Sequence, residues 1–281
     1  MYTWINKLIH IYLRNFPIDK GKDAIEKWVS LPQKCCGYEG GLGVKYDLNL
    51  TDHVMRTIYL RGIFEKNTIR HILPIIEDDM VFVDVGANVG AYSLIVGKKL
   101  INGRVLSFEP NPRTRKYLKQ NISLNSLDNI EIIEKGLSNK IEDAVLYTPS
   151  LSTASINKHH ESSEQEAIEL ITLDSFCQDR GIEEINILKI DTEGHEVKCI
   201  EGAVDIISKS EKLIFIVEID NNCLHSGYTR ESLFEMILSM GFSAYLPKGY
   251  PFPAKEVSYI PELYEDNIIF LKGLKPKLGV Y

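Results

Sequence analysis

Five apolar runs, Val81 to Val85, Val105 to Phe108, Ile130 to Ile133, Ile185 to Ile190 and Leu213 to Ile219, alternate with stretches of helical character. Repeated strand-helix units leave few choices: the strands pair in parallel, and helices cover both faces of the sheet. With 281 residues, 44% hydrophobic and 25% charged, the chain has enough apolar material for such a core. We therefore expect a doubly wound α/β domain. Between the third and fourth runs, Ala144 to Thr148 and Ala167 to Leu173 read as additional strands. They flank a polar loop, Ser150 to Glu164, too long for an ordinary connection. After a helix near Glu231 to Met240, Phe242 to Leu246 and Asn267 to Leu271 read as a closing strand pair.

The first sixty residues follow another pattern. Trp4, Ile5, Leu8, Ile9, Tyr12 and Phe16 recur at helical spacing with Asn6, Lys7 and Arg14 between them. An amphipathic helix of this kind packs on its own domain or on a second copy of the chain; a membrane-surface anchor is the lesser reading. Ala24 to Leu31 reads as a second helix ended by Pro32, Gly37 to Gly43 as a hairpin or connector, and Val44 to Leu50 as a strand. Asp52 to Tyr59 reads as a capped helix, and Phe64 and Glu65 precede another, Asn67 to Ile76.

Several classes of function are excluded. The net charge of −7 repels phosphate backbones and anionic membranes, so no nucleic-acid partner is expected. No run approaches the roughly 18 apolar residues of a transmembrane segment, and no signal peptide is evident. Cys35, Cys36, Cys177, Cys199 and Cys223 are scattered and lack zinc-site spacing. They read as free thiols of a cytoplasmic protein.

The chemistry concentrates at strand ends. Val81 to Ser93 carries a strand ending in Asp84, a turn through Gly86, Asn88 and Gly90, and the start of a helix whose free N–H groups favour an anionic ligand group. A nicotinamide dinucleotide oxidoreductase would need glycine at 88, where the backbone meets the pyrophosphate. Asn88 tolerates a positive φ and can hydrogen-bond a smaller ligand. S-adenosylmethionine, with a carboxylate, an amine and an adenosine but no pyrophosphate, fits better. The second run ends in Glu109, a carboxylate placed to accept both ribose hydroxyls.

With Phe108-Glu109-Pro110-Asn111, Ile187 to Glu196 (ILKIDTEGHE) and Ile200-Glu201-Gly202-Ala203, the chain resembles the FkbM family of class I S-adenosylmethionine-dependent methyltransferases over about Phe64 to Leu271. The resemblance implies a Rossmann-like fold at 63–281, mostly parallel with one antiparallel strand, behind an N-terminal helical extension at 1–62. It implies that Asp84, Gly86, Asn88 and Gly90 line the methionine end of the cofactor, closed by Phe64 and Glu65. Glu109 would hold the ribose, and Gly136, Leu137 and Ser138 the adenine. Asp191, at the mouth of the fourth strand, would face the methyl group and serve as the catalytic base, with Glu193 and His195 next in order. The acceptor it implies is a sugar or natural-product hydroxyl. Carboxylate or peptide methylation and a non-catalytic cofactor-binding scaffold are the alternatives. Asp191 with Glu218 or Asp220 offers oxygens for Mg²⁺, but helix capping is the plainer use of such acids and no metal is expected. The basic face Arg113, Arg115, Lys116 and Lys119 reads as solvated surface, and His159-His160 as part of the polar loop over the acceptor site.

Overall fold

The computed structural model describes residues 2–15, 22, 29, 31–151, 153–156, 164–249, 251–261 and 266–277. Most of the helix expected at Ala24 to Leu31, and His159-His160, lie outside these residues. The chain opens with α1 (Tyr2–Asn15), the hairpin β1 (Lys34–Glu39) and β2 (Lys45–Asn49), α2 (His53–Arg61) and α3 (Lys66–Ile72). The strand-helix alternation then runs through β3 (Val81–Val85), α4 (Ala91–Lys99), β4 (Arg104–Phe108), α5 (Pro112–Asn125) and β5 (Ile130–Ile133). A side sheet of β6 (Gly136–Leu137), β7 (Glu142–Thr148) and β8 (Glu164–Ile171) precedes α6 (Leu173–Asp179) and β9 (Ile187–Ile190). The chain ends through α7 (Glu196–Glu201), α8 (Val204–Lys209), β10 (Leu213–Ile219), α9 (Arg230–Ser239), β11 (Ser243–Leu246), β12 (Lys255–Val257) and β13 (Asp266–Lys272).

The main sheet has the order β12-β11-β13-β10-β9-β3-β4-β5. The five strands read from the apolar runs are mutually parallel, and β13 lies antiparallel against β10. The expectation of one antiparallel strand needs correcting. The edge strand β12 pairs antiparallel with β11, so it too opposes the parallel set. Its three residues lie within a Pro-rich segment and carry no apolar alternation, so no period-two signal marks them. Two helix and strand limits also differ. Pro74 turns the end of the Asn67 to Ile76 segment into a 3₁₀ turn over Leu73–Ile75. Thr172, expected within a strand, is the N-cap of α6 and accepts from the Ser175 N–H.

Side chains alternate between faces along each strand. Val83 and Val85, Leu188 and Ile190, and Phe215 and Val217 enter one core together with Phe176, Val197, Ile206 and Phe234. Phe82, Ile187, Ile214 and Ile216 enter the opposite core. There they meet Val44, Tyr46, Leu48, Met55 and Ile58, so the hairpin and α2 cover one face of the main sheet. Asparagines of α5 fix the hairpin: Asn121 Oδ1 accepts from Asp47 N at 2.7 Å, and Asn125 bonds both backbone groups of Lys45 at 2.8 and 2.7 Å. Asp52 caps α2 by accepting from Met55 N. In α1, Leu13 packs inward on Leu60 while Trp4, Leu8 and Ile11 face outward. Among the described residues no helix is long and apolar enough to cross a membrane.

Candidate functional site

The parallel strands end together at a crevice, where an open α/β sheet binds ligands. A cavity of about 360 Å³ lies there. From β3 it receives Asp84 and the turn through Gly86, Ala87 and Asn88. Gly86 has φ +77, and a Cβ on it would lie 1.9 Å from the carbonyl oxygen of Asp191. Only glycine permits β9 to come this close. The turn is pinned from the other side by Phe108 O, which accepts from Gly86 N and Ala87 N at 3.0 and 3.1 Å.

Glu109 is buried at the mouth of β4. Its Oε2 accepts from Asn88 N at 2.7 Å and its Oε1 from Asn111 N at 2.8 Å. Burial outweighs these bonds and pushes its carboxyl up to about 7. On the basic face of α5, Arg113, Lys116 and Lys119 are exposed as read, and Arg115 alone turns in. Arg115 Nη1 donates to Glu109 O and Pro110 O at 3.1 and 2.8 Å, and its Nη2 pairs with Glu134 at 2.9 Å.

The acidic end of the cavity is set by strand register. Asp84 pairs with Lys189, and Lys189 with Ile216, so these side chains share one face of the sheet. By period two, Asp191 and Glu218 continue that row at the rim. Lys189 is buried, and its Nζ bonds Asp191 Oδ2 at 2.6 Å while lying 4.8 Å from the centre of the Tyr92 ring. Burial disfavours its charge, but Asp191, Glu65 and Asp84 outweigh that and raise its pKa. Glu65, in a left-handed conformation before α3, accepts from Tyr92 Oη at 2.6 Å. Asp84 is enclosed and receives the Ser93 hydroxyl; burial raises its pKa against the pull of Lys189 and Ser93.

The turn after β9 holds the remaining acids. Glu196 organises it, with Oε1 accepting from Thr192 N at 2.8 Å and Gly194 N at 3.1 Å. Glu193 lines the cavity at φ +54, its carboxyl pushed up to about 7 by burial and by Asp191, Glu196 and Asp220. His195 also lines it and bonds Ser138 Oγ through Nε2 at 3.0 Å. Burial and then Lys198 lower its pKa to about 4, so the imidazole is neutral at neutral pH. Asp220 lies beside this group but does not line the cavity, and both its oxygens hold Asn222 and cap a 3₁₀ turn. Among the described residues no three His, Cys, Asp or Glu side chains group to hold a metal.

Phe64, Gly136 and Leu137 line the cavity as well. Gly90 and Ser138 do not. Gly90 abuts Leu94 and Leu118, and Ser138 is covered beneath His195. Thr153, Ala154 and Ile156, from the polar loop expected over the acceptor site, line the far wall, and the sequence reading missed its other part, Leu146 and Ile168 of the side sheet. The segment before β8 is tied across the crevice by Ser155 Oγ, which donates to Glu193 O at 3.0 Å. Tyr92 and His53 were missed too. Tyr92, two residues into α4, could have been found from its place beside the glycine turn; His53, far away in sequence, could not.

The sequence profile of the methyltransferase FkbM domain matches residues 84–243. Hexuronic acid methyltransferase AglP of Haloferax volcanii is 28% identical over 210 residues, covering 74% of this chain and 81% of AglP. The 2-O-methyltransferase NoeI of Sinorhizobium fredii is 23% identical over 199 residues, 64% of this chain and 80% of NoeI. The crystal structure of methyltransferase FkbM from Methylobacillus flagellatus superposes with a TM-score of 0.47 and 16% identity, over 70% of this chain and 44% of that one. Because the profile spans more than half of the chain, from Asp84 at the turn to the start of β11, the chain belongs to the FkbM family and is a methyltransferase.

Proposed function

We propose that the protein transfers a methyl group from S-adenosylmethionine to a hydroxyl of a sugar or small natural product. The observation that carries this reading is Glu109. Each of its oxygens takes one backbone N–H, the Thr114 hydroxyl bonds the same carboxyl, and the residue lines the cavity. Such a carboxylate suits the paired hydroxyls of a ribose. Asn88, at φ +52, carries a side chain where a dinucleotide site needs bare backbone against the pyrophosphate. In this reading the 86–88 turn and Glu65 hold the methionine end, and Gly136 and Leu137, with Leu146 and Ile168, hold the adenine.

When bound, S-adenosylmethionine supplies an electrophilic methyl on a sulfonium with a good leaving group. The protein then has to orient the acceptor and take its proton. Asp191 does the latter, with one oxygen held by Lys189 and the other left for the acceptor. His195, neutral and bonded to Ser138, shapes the turn. AglP and NoeI, named for hexuronic acid and 2-O methylation, support a sugar acceptor. Asp191, paired with Lys189 at the rim, disfavours a carboxylate as the reacting group, since a like charge would face it.

Methyl transfer from S-adenosylmethionine to neutral hexosides, hexuronic acids and short peptides tests the reading. A product whose new methyl survives alkaline hydrolysis is an ether and supports it; an alkali-labile ester, or methylated peptide alone, overturns it. Glu109→Ala is expected to weaken S-adenosylhomocysteine binding by about 10- to 100-fold, as charge-assisted hydrogen bonds are lost. Calorimetry on the folded variant measures this, and unchanged affinity would remove Glu109 from the ribose site.

A further inference from the structure

Glu218 is a cavity residue that the mechanism above does not use. It lies at the end of β10, beside Asp191 in the register that pairs Ile190 with Val217, and opposite Asn267 of β13. Among the described residues, no hydrogen bond or ion pair reaches its carboxyl. Around it stand Asp191 after β9, Asp220, Glu65 ahead of α3 and Glu193 of the turn after β9, and behind Asp191 and Glu65 lie Lys189, Asp84 and Tyr92. One buried lysine serves this set of acids, and its Nζ is bonded to Asp191. Full ionisation of the row would leave several negative charges in a partly closed crevice with one positive charge to offset them.

We propose that Glu218 is the acceptor-orienting residue, a neutral carboxyl group that donates its O–H to an acceptor oxygen while Asp191 takes the proton of the reacting hydroxyl. This rests on the reading of Asp191 as the base. In the step, the acceptor oxygen forms the C–O bond, the C–S bond breaks with its electron pair left on sulfur, and the acceptor's proton passes to Asp191. Glu218 keeps its own proton throughout. Its environment agrees with this role: burial first, then Asp191, Asp220, Glu65 and Glu193, push its carboxyl up to about 9.

The first test needs no acceptor. A carboxyl whose pKa is raised on folding holds its proton more tightly in the folded state. Stability relative to an uncharged isostere is then lost as pH rises from the ordinary glutamate value toward about 9. Melting temperatures of wild type and Glu218→Gln should converge near pH 5 and diverge up to pH 9, with the variant higher. Parallel curves would overturn the neutral carboxyl, whatever the fate of Asp191.

The second test uses turnover with S-adenosylmethionine and the hexoside or hexuronic acid found to be methylated. Glu218→Ala is expected to lose about tenfold in rate, Glu218→Gln to recover most of that loss, and the alkaline fall of the wild-type rate near pH 9 to be absent in Glu218→Gln. A Gln variant as slow as the Ala variant, or one that keeps the alkaline fall, would overturn the orienting role. Failure of Asp191 as the base would instead appear as normal turnover by an Asp191 variant with the melting curves of Glu218 unchanged.

Discussion

Asp191→Asn is expected to slow methyl transfer by about 10² to 10⁴ while S-adenosylhomocysteine binds as it does to wild type. Asparagine keeps the shape of the side chain and can still accept from Lys189 Nζ, which donates to Oδ2 at 2.6 Å in the wild type. What it loses is the capacity to take a proton. Lys189 stays beside Glu65 and Asp84, whose charges also favour its ammonium, so the buried cation is not stranded and the fold persists. Single-turnover rates at saturating acceptor, set beside calorimetric affinity for S-adenosylhomocysteine, separate the two effects. A wild-type rate would move the base elsewhere. Glu193 would then be tested first, because His195 is occupied with Ser138 and its pKa is lowered.

Gly86→Ala has the other large effect, and it acts on fold and cofactor together. The residue needs φ +77, and its Cβ would overlap the Asp191 carbonyl oxygen, which is backbone and cannot rotate away. The turn must therefore part from β9, which also breaks the bond from Asp191 N to Val85 O. Overpacking of this kind costs about 1 to 3 kcal/mol, with about 1 kcal/mol more for the left-handed backbone. A fall in Tm of about 5 to 10 °C follows for a domain of this size. Binding of S-adenosylhomocysteine is expected to drop by more than about tenfold, since the displaced turn carries Asn88 and its contact with Glu109. Gly181→Ala supplies the control: φ is +62 there, but nothing lies within 4 Å of the added Cβ, so only the conformational cost remains. Equal losses in the two variants would show that backbone conformation, and not the approach of β9, governs Gly86.

These residues differ in how plainly the sequence announces them. Asp84, Glu109 and Asp191 each follow a buried apolar run, and a strand ending in an acid at a parallel-sheet edge is legible from periodicity alone. Glu218 was legible only as an oxygen that could join Asp191 at Mg²⁺, and not as a group that orients an acceptor. Its place beside Asp191 depends on β9 and β10 being neighbours in a particular register, a long-range pairing that no local window contains. The same holds for the far wall of the cavity. Leu146 and Ile168 are unremarkable apolar positions until the side sheet folds back, and a two-residue strand such as β6 has no period to detect. Gly90 illustrates a second use of glycine. A glycine motif marks both ligand approach and close packing, and here the second glycine of the turn serves packing.

The bonds between the hairpin and α5 have a consequence for the order in which the chain is made. Asp47 and Asn121 are 74 residues apart, and Lys45 and Asn125 are 80 apart. At ribosomal rates of about 5 to 20 residues per second, β1 and β2 wait roughly 4 to 15 seconds for these asparagines to be polymerised. Until β3 and β4 have followed within that interval, the apolar side of the hairpin, with Val44, Tyr46 and Leu48, has no sheet to lie on. Asn121 also donates to Val89 O in the turn that leads into α4. One late side chain thus closes the amino-terminal layer and the glycine turn in a single event, and early termination anywhere before it yields a nascent chain with both left open.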